Sequence, residues 1–366
     1  MKKVLTVILM SILLLFSFSV TASANEITID FKEVYNEIDK QTEEYLEELG
    51  IESFSLDEIQ NLSLNNIYNL IMTILFDNFK QILKTILKLI VTIIISSTVI
   101  SFIKEDSHNK KSVEFVSSVV IIILFLIPTE HIISKSSSVL LTTLNFVSSY
   151  IPIMFSLMIA SQNYGLAYTY NSSFLYLTTA ITFFVEKVFM PLISSMLSLN
   201  IISSLSSDSF NERLFKIIKK IVITVLGFFS FVYSGFLTSK CIISEKADTV
   251  LIKGFRFMSG KFIPIIGTGV SETLTQIFGS FSLLKTSFGF LVILVVLLMN
   301  LPIILELLCW NVSLQFCSSF SDLLGLKKMT SIFDNFAEIL SLLNVILIFI
   351  TILHIVSTGI IILMGK

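Results

Sequence analysis

Long apolar runs separated by short polar breaks dominate the chain from about residue 86 onward. Stretches with almost no charge fall at about 86–103, 113–129, 174–203, 216–238, 286–308 and 340–363. Each is close to the roughly 20 residues that carry a helix across a hydrocarbon core of about 30 Å. Two further apolar segments, about 139–160 and 262–284, contain prolines or glycines. The pattern predicts an all-α, polytopic helical membrane protein. Upstream, Leu64, Ile67, Ile71, Ile74, Leu75, Ile82 and Leu83 make an apolar helical stripe, and Lys80, Lys84 and Lys88 recur every four residues beside it. That combination suits a helix at the headgroup level, with its lysines snorkelling.

The first 63 residues read differently. Lys2 and Lys3, the apolar run Val4 to Val20, and Ala22-Ser23-Ala24 have the three-part form of a cleavable signal peptide over 1–24. Cleavage after Ala24 places the mature start, Asn25, on the outer side of the membrane. The next region, 25–63, is acidic: from Asn25 to Gln60 there are twelve Asp or Glu and two Lys. Phe31, Val34, Tyr35, Ile38, Tyr45, Leu46 and Leu49 recur at three-to-four spacing, which predicts amphipathic helix. Gly50 suits a C-terminal cap, and Ser55 with Glu58 a capping box for a second helix. The short region is read as an acidic helical extracytoplasmic domain, and Glu43, Glu44, Glu47 and Glu48 as a docking surface for a basic partner. The alternative is a solvated acidic face.

Residues 64–366 form the membrane domain, and its second half carries an internal echo. Tyr150-Ile151-Pro152-Ile153 recurs as Phe262-Ile263-Pro264-Ile265, and Met190-Pro191-Leu192-Ile193 as Leu301-Pro302-Ile303-Ile304. Repeat units over 139–240 and 250–366 follow. Basic residues decide their relative sense, because loops rich in Lys and Arg stay inside. Lys104, Lys110 and Lys111, then Arg213, Lys216, Lys219 and Lys220, then Lys327 and Lys328 share one side if the two Ile-Pro segments return to the side they entered from. The copies are then parallel, with six full spans. Pro152 and Pro264, with Gly267 and Gly269 after the latter, are the expected helix breaks. Paired breaks in two halves are the usual pointer to a pathway through a transporter, and kinked helices in a packed bundle are the bland reading.

Composition narrows the class further. Apolar residues are 54% of 366 and charged residues 14%, with mean hydropathy +0.88. Soluble domains carry roughly 25% charge. Cys241, Cys309 and Cys317 make neither a CxxC pair nor an even framework. The three histidines, His108, His131 and His354, form no HExxH, and Gly254 with Gly260-Lys261 misses the spacing of a phosphate loop. No catalytic constellation, cofactor or nucleic-acid partner is expected. Glu186 and Lys187 stand inside an apolar stretch, where charge is costly. As helix neighbours they are expected to diverge, each toward its own partner. Glu306 and His354 are weaker cases of the same kind.

The run Lys261-Phe262-Ile263-Pro264-Ile265-Ile266-Gly267, then Ser271-Glu272-Thr273, Ser282-Leu283-Leu284-Lys285-Thr286 and Asn311-Val312-Ser313, resembles the stage III sporulation protein AE family of endospore-forming Bacillota. The order of parts (signal peptide, acidic helices, polytopic region) is similar as well. The resemblance implies a non-enzymatic membrane subunit of the mother-cell-to-forespore channel, a secretion-like complex required in sporulation. It implies a place in the mother-cell membrane surrounding the forespore. Its partners would be other stage III sporulation proteins of the same operon and a forespore membrane partner, with the lipid bilayer around it. A stand-alone secondary transporter with a duplicated helical unit is the alternative.

Overall fold

The computed structural model describes residues 32–51, 58, 62–103, 108–161, 175–205, 213–236 and 267–363. The signal segment, the Ser55–Glu58 capping box and Pro264 lie outside the described residues, apart from residue 58. Every regular element among the described residues is helical. The acidic region gives α1 (Lys32–Tyr35) and α2 (Lys40–Glu48). Then come α3 (Leu64–Ser101), α4 (His108–Ala160) and α5 (Leu175–Phe184). One π turn (Val185–Phe189) joins α5 to α6 (Met190–Leu205). The rest are α7 (213–236), α8 (Gly267–Leu323) and α9 (Lys327–Leu363).

Local chemistry sets several ends. Ser63 Oγ accepts the Asn65 N–H at 3.2 Å and starts α3. Gly50 (φ +79°) ends α2, with its N–H on the Glu47 carbonyl and the Ile51 N–H on Leu46. Gly325 (φ +73°) repeats the motif between α8 and α9, where Leu326 reaches back to Ser321. Positive φ is the conformation glycine adopts without a Cβ penalty.

Among the described residues, five helical stretches are long and apolar enough to cross a membrane: Asn65–Ser101, Lys110–Ala160, Leu177–Leu205, Ser282–Leu323 and Lys327–Gly359. The chain is therefore an all-α polytopic membrane protein. At 1.5 Å per residue, α4 with 53 residues and α8 with 57 are each about 80 Å or longer, well over one bilayer. The segments at 113–129 and 139–160 are thus two halves of one helix. The first Ile-Pro segment does not turn back, and the break expected at Pro152 is absent, because Pro152 lies inside α4. Its lost N–H bond is tolerated in a helix that neighbours hold on both sides. Tyr150 and Ile151 are buried there, and the Tyr150 hydroxyl bonds Thr358 on α9 at 2.9 Å. Gly267 and Gly269 lie in the first turn of α8, so most of the second Ile-Pro segment is also helix.

Side-chain contacts between helices order the bundle around α8. Asn300 Nδ2 donates to Thr143 at 3.1 Å and Lys135 meets Glu306, so α4 runs antiparallel to α8. Leu70 and Ile71 line one small apolar cavity with Leu294 and Leu298, and Asn78 reaches Pro302, so α3 runs parallel to α8. Asn311 bonds the Ala337 carbonyl and Asn344 the Ile304 carbonyl, which makes α9 antiparallel. On α7, Lys219 meets Glu338 and Tyr233 donates to the Leu353 carbonyl, so α7 follows α9. The basic starts of α4, α7 and α9 consequently share one end of the bundle.

The core sits on α8. In the stretch Ser282–Leu323 the most apolar window is 94% buried, against 28% for α3 and 33% for α4. Phe125 of α4 meets Trp310 of α8 and Phe336 of α9 edge-on, with centroids 5.1 and 4.7 Å apart. Gly289 marks the closest approach: a Cβ there would lie 2.6 Å from Ile362 and 3.1 Å from Met154. Gly227 on α7 has nothing within 4 Å. Gly289→Val should therefore destabilise the protein by about 1–3 kcal/mol through overpacking, while Gly227→Val meets no neighbour and slightly favours the helix. Thermal unfolding of purified variants checks this, and equal effects at the two positions would contradict the packing.

Candidate functional site

The sequence-derived candidates are spread over the bundle. On α2, Glu44, Glu47 and Glu48 are exposed, while Glu43 is half-buried and accepts the Tyr35 hydroxyl at 2.6 Å. That bond to a carboxylate pushes the Tyr35 phenol up to about 12. Val34, Ile38, Leu46 and Leu49 are buried, so the acidic region is docked on the bundle by its apolar face. Glu186 and Lys187 fall in the π turn one residue before Met190-Pro191. Contrary to the expected divergence, they bond each other, Nζ to Oε1 at 3.0 Å. The widened turn, where Met190 N–H reaches the Val185 carbonyl, and the long lysine stem let neighbours close on each other. Pro152 of α4 and Gly267 and Gly269 of α8 lie on other helices.

What the fold does gather is a polar layer around Pro302, in the middle of α8. Pro302 has no N–H, so the preceding turn loses one helix bond and its carbonyls tilt away. Side chains from three helices bond α8 on either side of this position. Asn78 of α3 donates to the Pro302 carbonyl at 3.3 Å and Asn344 of α9 to the Ile304 carbonyl at 3.5 Å. Asn300 donates to Thr143 of α4 and, at 2.9 Å, to the Val296 carbonyl. Lys135 of α4 closes the layer on Glu306 at 2.7 Å, with side-chain exposures of 33% and 12%.

A second polar patch lies between two and three turns deeper on α9, where it meets α5 and α7. His354, 1% exposed, has Nε2 3.4 Å from Thr182 Oγ1. The Thr182 hydroxyl already donates to the Thr178 carbonyl, so Nε2 carries the proton in that contact. Tyr233 bonds the Leu353 carbonyl and Ser357 beside it.

Sequence reasoning named Glu306 and His354 but missed Lys135, Asn78, Asn300 and Asn344. A signal existed for Lys135: it is the one Lys or Arg in the polar break between the apolar runs 113–129 and 139–160, opposite in sign to Glu306. Their partnership across 171 residues needed the antiparallel packing of α4 on α8.

These parts define a polytopic helical membrane protein held together at depth by paired polar groups. The family model of stage III sporulation protein AE matches residues 50–365. The chain therefore belongs to that sporulation family. It is also 23% identical over 172 residues to stage III sporulation protein AE of Bacillus subtilis (strain 168). That match covers 47% of this chain and 43% of the relative's length. No solved structure matches the chain.

Removing one member of the Lys135–Glu306 pair strands a charge in a low-dielectric layer. Glu306→Ala should cost about 1–3 kcal/mol, less than a fully buried pair because Lys135 is one-third exposed. Lys135→Met combined with Glu306→Met should recover most of it, since two apolar groups leave nothing unpaired. Unfolding of the single and double variants in lipid nanodiscs decides; a double variant worse than Glu306→Ala would contradict the pairing.

Proposed function

We propose that this chain is a non-catalytic membrane subunit of a multi-protein channel joining mother cell and forespore. It would work in the mother-cell membrane surrounding the forespore, beside other stage III sporulation proteins of the same operon and a forespore membrane partner. Family membership supports the sporulation role. The observation that carries the subunit role is the filled axis: α8 occupies the middle of the bundle and is buried there by α3, α4 and α9. A conduit for a large or hydrated cargo would then run between this chain and its neighbours. A stand-alone transporter is the second reading. It is favoured by the two hairpins, α5–α7 and α8–α9, which run in the same sense as parallel copies of one unit would. Solute uptake by liposomes holding the purified chain alone would support that reading against the first.

The acidic region is the proposed docking surface, for a basic segment of a partner outside the membrane. Glu44, Glu47 and Glu48 present their carboxylates, and Glu43 is kept out of the test because it holds Tyr35. Exposed charge pairs contribute only about 0–1 kcal/mol each, so one substitution should do little. Glu44→Gln, Glu47→Gln and Glu48→Gln together should reduce recovery of stage III partners from sporulating cells several-fold, with insertion and protein level unchanged. Unchanged recovery at physiological salt would return the region to a solvated face.

A further inference from the structure

The depth markers on α8 allow the outside of the bundle to be compared flank by flank at one height. Asn78 of α3 stands at Pro302. Five and nine residues earlier on this parallel helix, Thr73 and Asn69 stand about one and a half and two and a half turns below it. On the other side, Asn344 of α9 stands at Ile304, and Tyr233 of α7 bonds Leu353, nine residues deeper on α9. Phe228 and Phe231 of α7 therefore share the height of Thr73 and Asp77. The two flanks are far apart, because Pro302 and Asn311, which meet α3 and α9, are half a helical circle apart at 100° per residue.

At this shared height the surfaces differ. Phe228 and Phe231 are 60% and 78% exposed, a lipid-like face. The outer face of α3 also exposes Tyr68, Phe76, Phe79 and Leu87, but beside them runs a continuous polar stripe of Asn69, Thr73, Asp77, Lys80, Lys84 and Lys88, all exposed and spaced by three or four. From Asn69 to Lys88 the stripe is about 28 Å tall, nearly a whole hydrocarbon core. Snorkelling brings lysines near a helix end to the interface, but it does not serve asparagine, threonine and aspartate two turns deeper. Glu44, Glu47 and Glu48 extend the polar surface sideways, since α2 packs on α3 and α8 here. Above Lys88 the same face turns apolar with Val91 and Ile95.

We propose that this flank of α3, from Asn69 to Lys88, faces water at membrane depth and forms one wall of the aqueous path. Polar surface of that height in hydrocarbon would leave its groups unsatisfied, so such faces occur where they line water or protein. The path narrows at Val91 and Ile95, toward the basic end of the bundle. This deepens the channel-subunit reading by naming the wall, and rests on it only for what moves along the path. Solute uptake by liposomes holding the chain alone would sink that reading and leave the wetted flank standing.

Spin labels at Thr73→Cys, Asp77→Cys, Phe228→Cys and Phe231→Cys, in the full chain with Cys241, Cys309 and Cys317 replaced by Ala and reconstituted in lipid nanodiscs, test it. Collision with a water-soluble nickel chelate should be several-fold higher at 73 and 77 than at 228 and 231. Collision with oxygen should show the reverse order. Lipid-like values at all four positions would overturn the proposal. So would water-like values at all four, because that height would then lie outside the bilayer. If the cysteine-free chain does not fold, an encoded spin-labelled amino acid at the same four positions of the natural chain gives the same comparison.

Discussion

The rest of the structure depends on one constraint: a polar group at membrane depth has to find its partner inside the protein. The central helix α8 meets it in two ways. Over most of its length it presents apolar side chains, and Val295, Ile303 and Leu307 are fully buried among its neighbours. Around Pro302, amides from α3 and α9 bond the Pro302 and Ile304 carbonyls, and the Lys135–Glu306 pair adds a charged bond to α4. The polar layer thus fixes the heights of α3, α4 and α9 against α8, while the apolar contacts above and below supply the bulk of the packing. Hydrophobic association alone would leave those heights loosely defined, since lipid is as apolar as the helix surfaces.

The same constraint ties packing to function. An axis filled by α8 leaves the outside of the bundle as the place for a conduit, and the outside is uneven. The α7 flank is phenylalanine-rich, whereas the α3 flank alternates amide, hydroxyl and charge over a bilayer's height. The acidic α2 sits beside that polar flank, anchored by Leu46 and Leu49 with its carboxylates outward. A partner drawn to α2 would thereby stand next to the wall that α3 offers.

Much of this was legible in the sequence. Run lengths and charge breaks placed the membrane helices, Gly50 ended the acidic helix as its position suggested, and the regular spacing of lysines marked α3 as unusual. What the sequence could not reveal was continuity. A proline in an apolar segment reads the same whether the helix breaks or is clamped, and Tyr150 on Thr358 clamps Pro152 from outside its own helix. Pairings across long separations, such as Lys135 with Glu306 and Tyr233 with Leu353, depend on relative helix heights that no local pattern encodes. The mutual bond of Glu186 and Lys187 required the π turn, which changes the angle between neighbours.

The central claim is that the path runs beside the bundle and not through it. A single-particle structure of the assembled membrane complex tests this most directly. The account predicts that α8 is enclosed in each subunit by its own α3, α4 and α9, with open, water-filled space bounded by the Asn69–Lys88 face. A lumen lined by α8 side chains such as Val295 or Leu298 would contradict it.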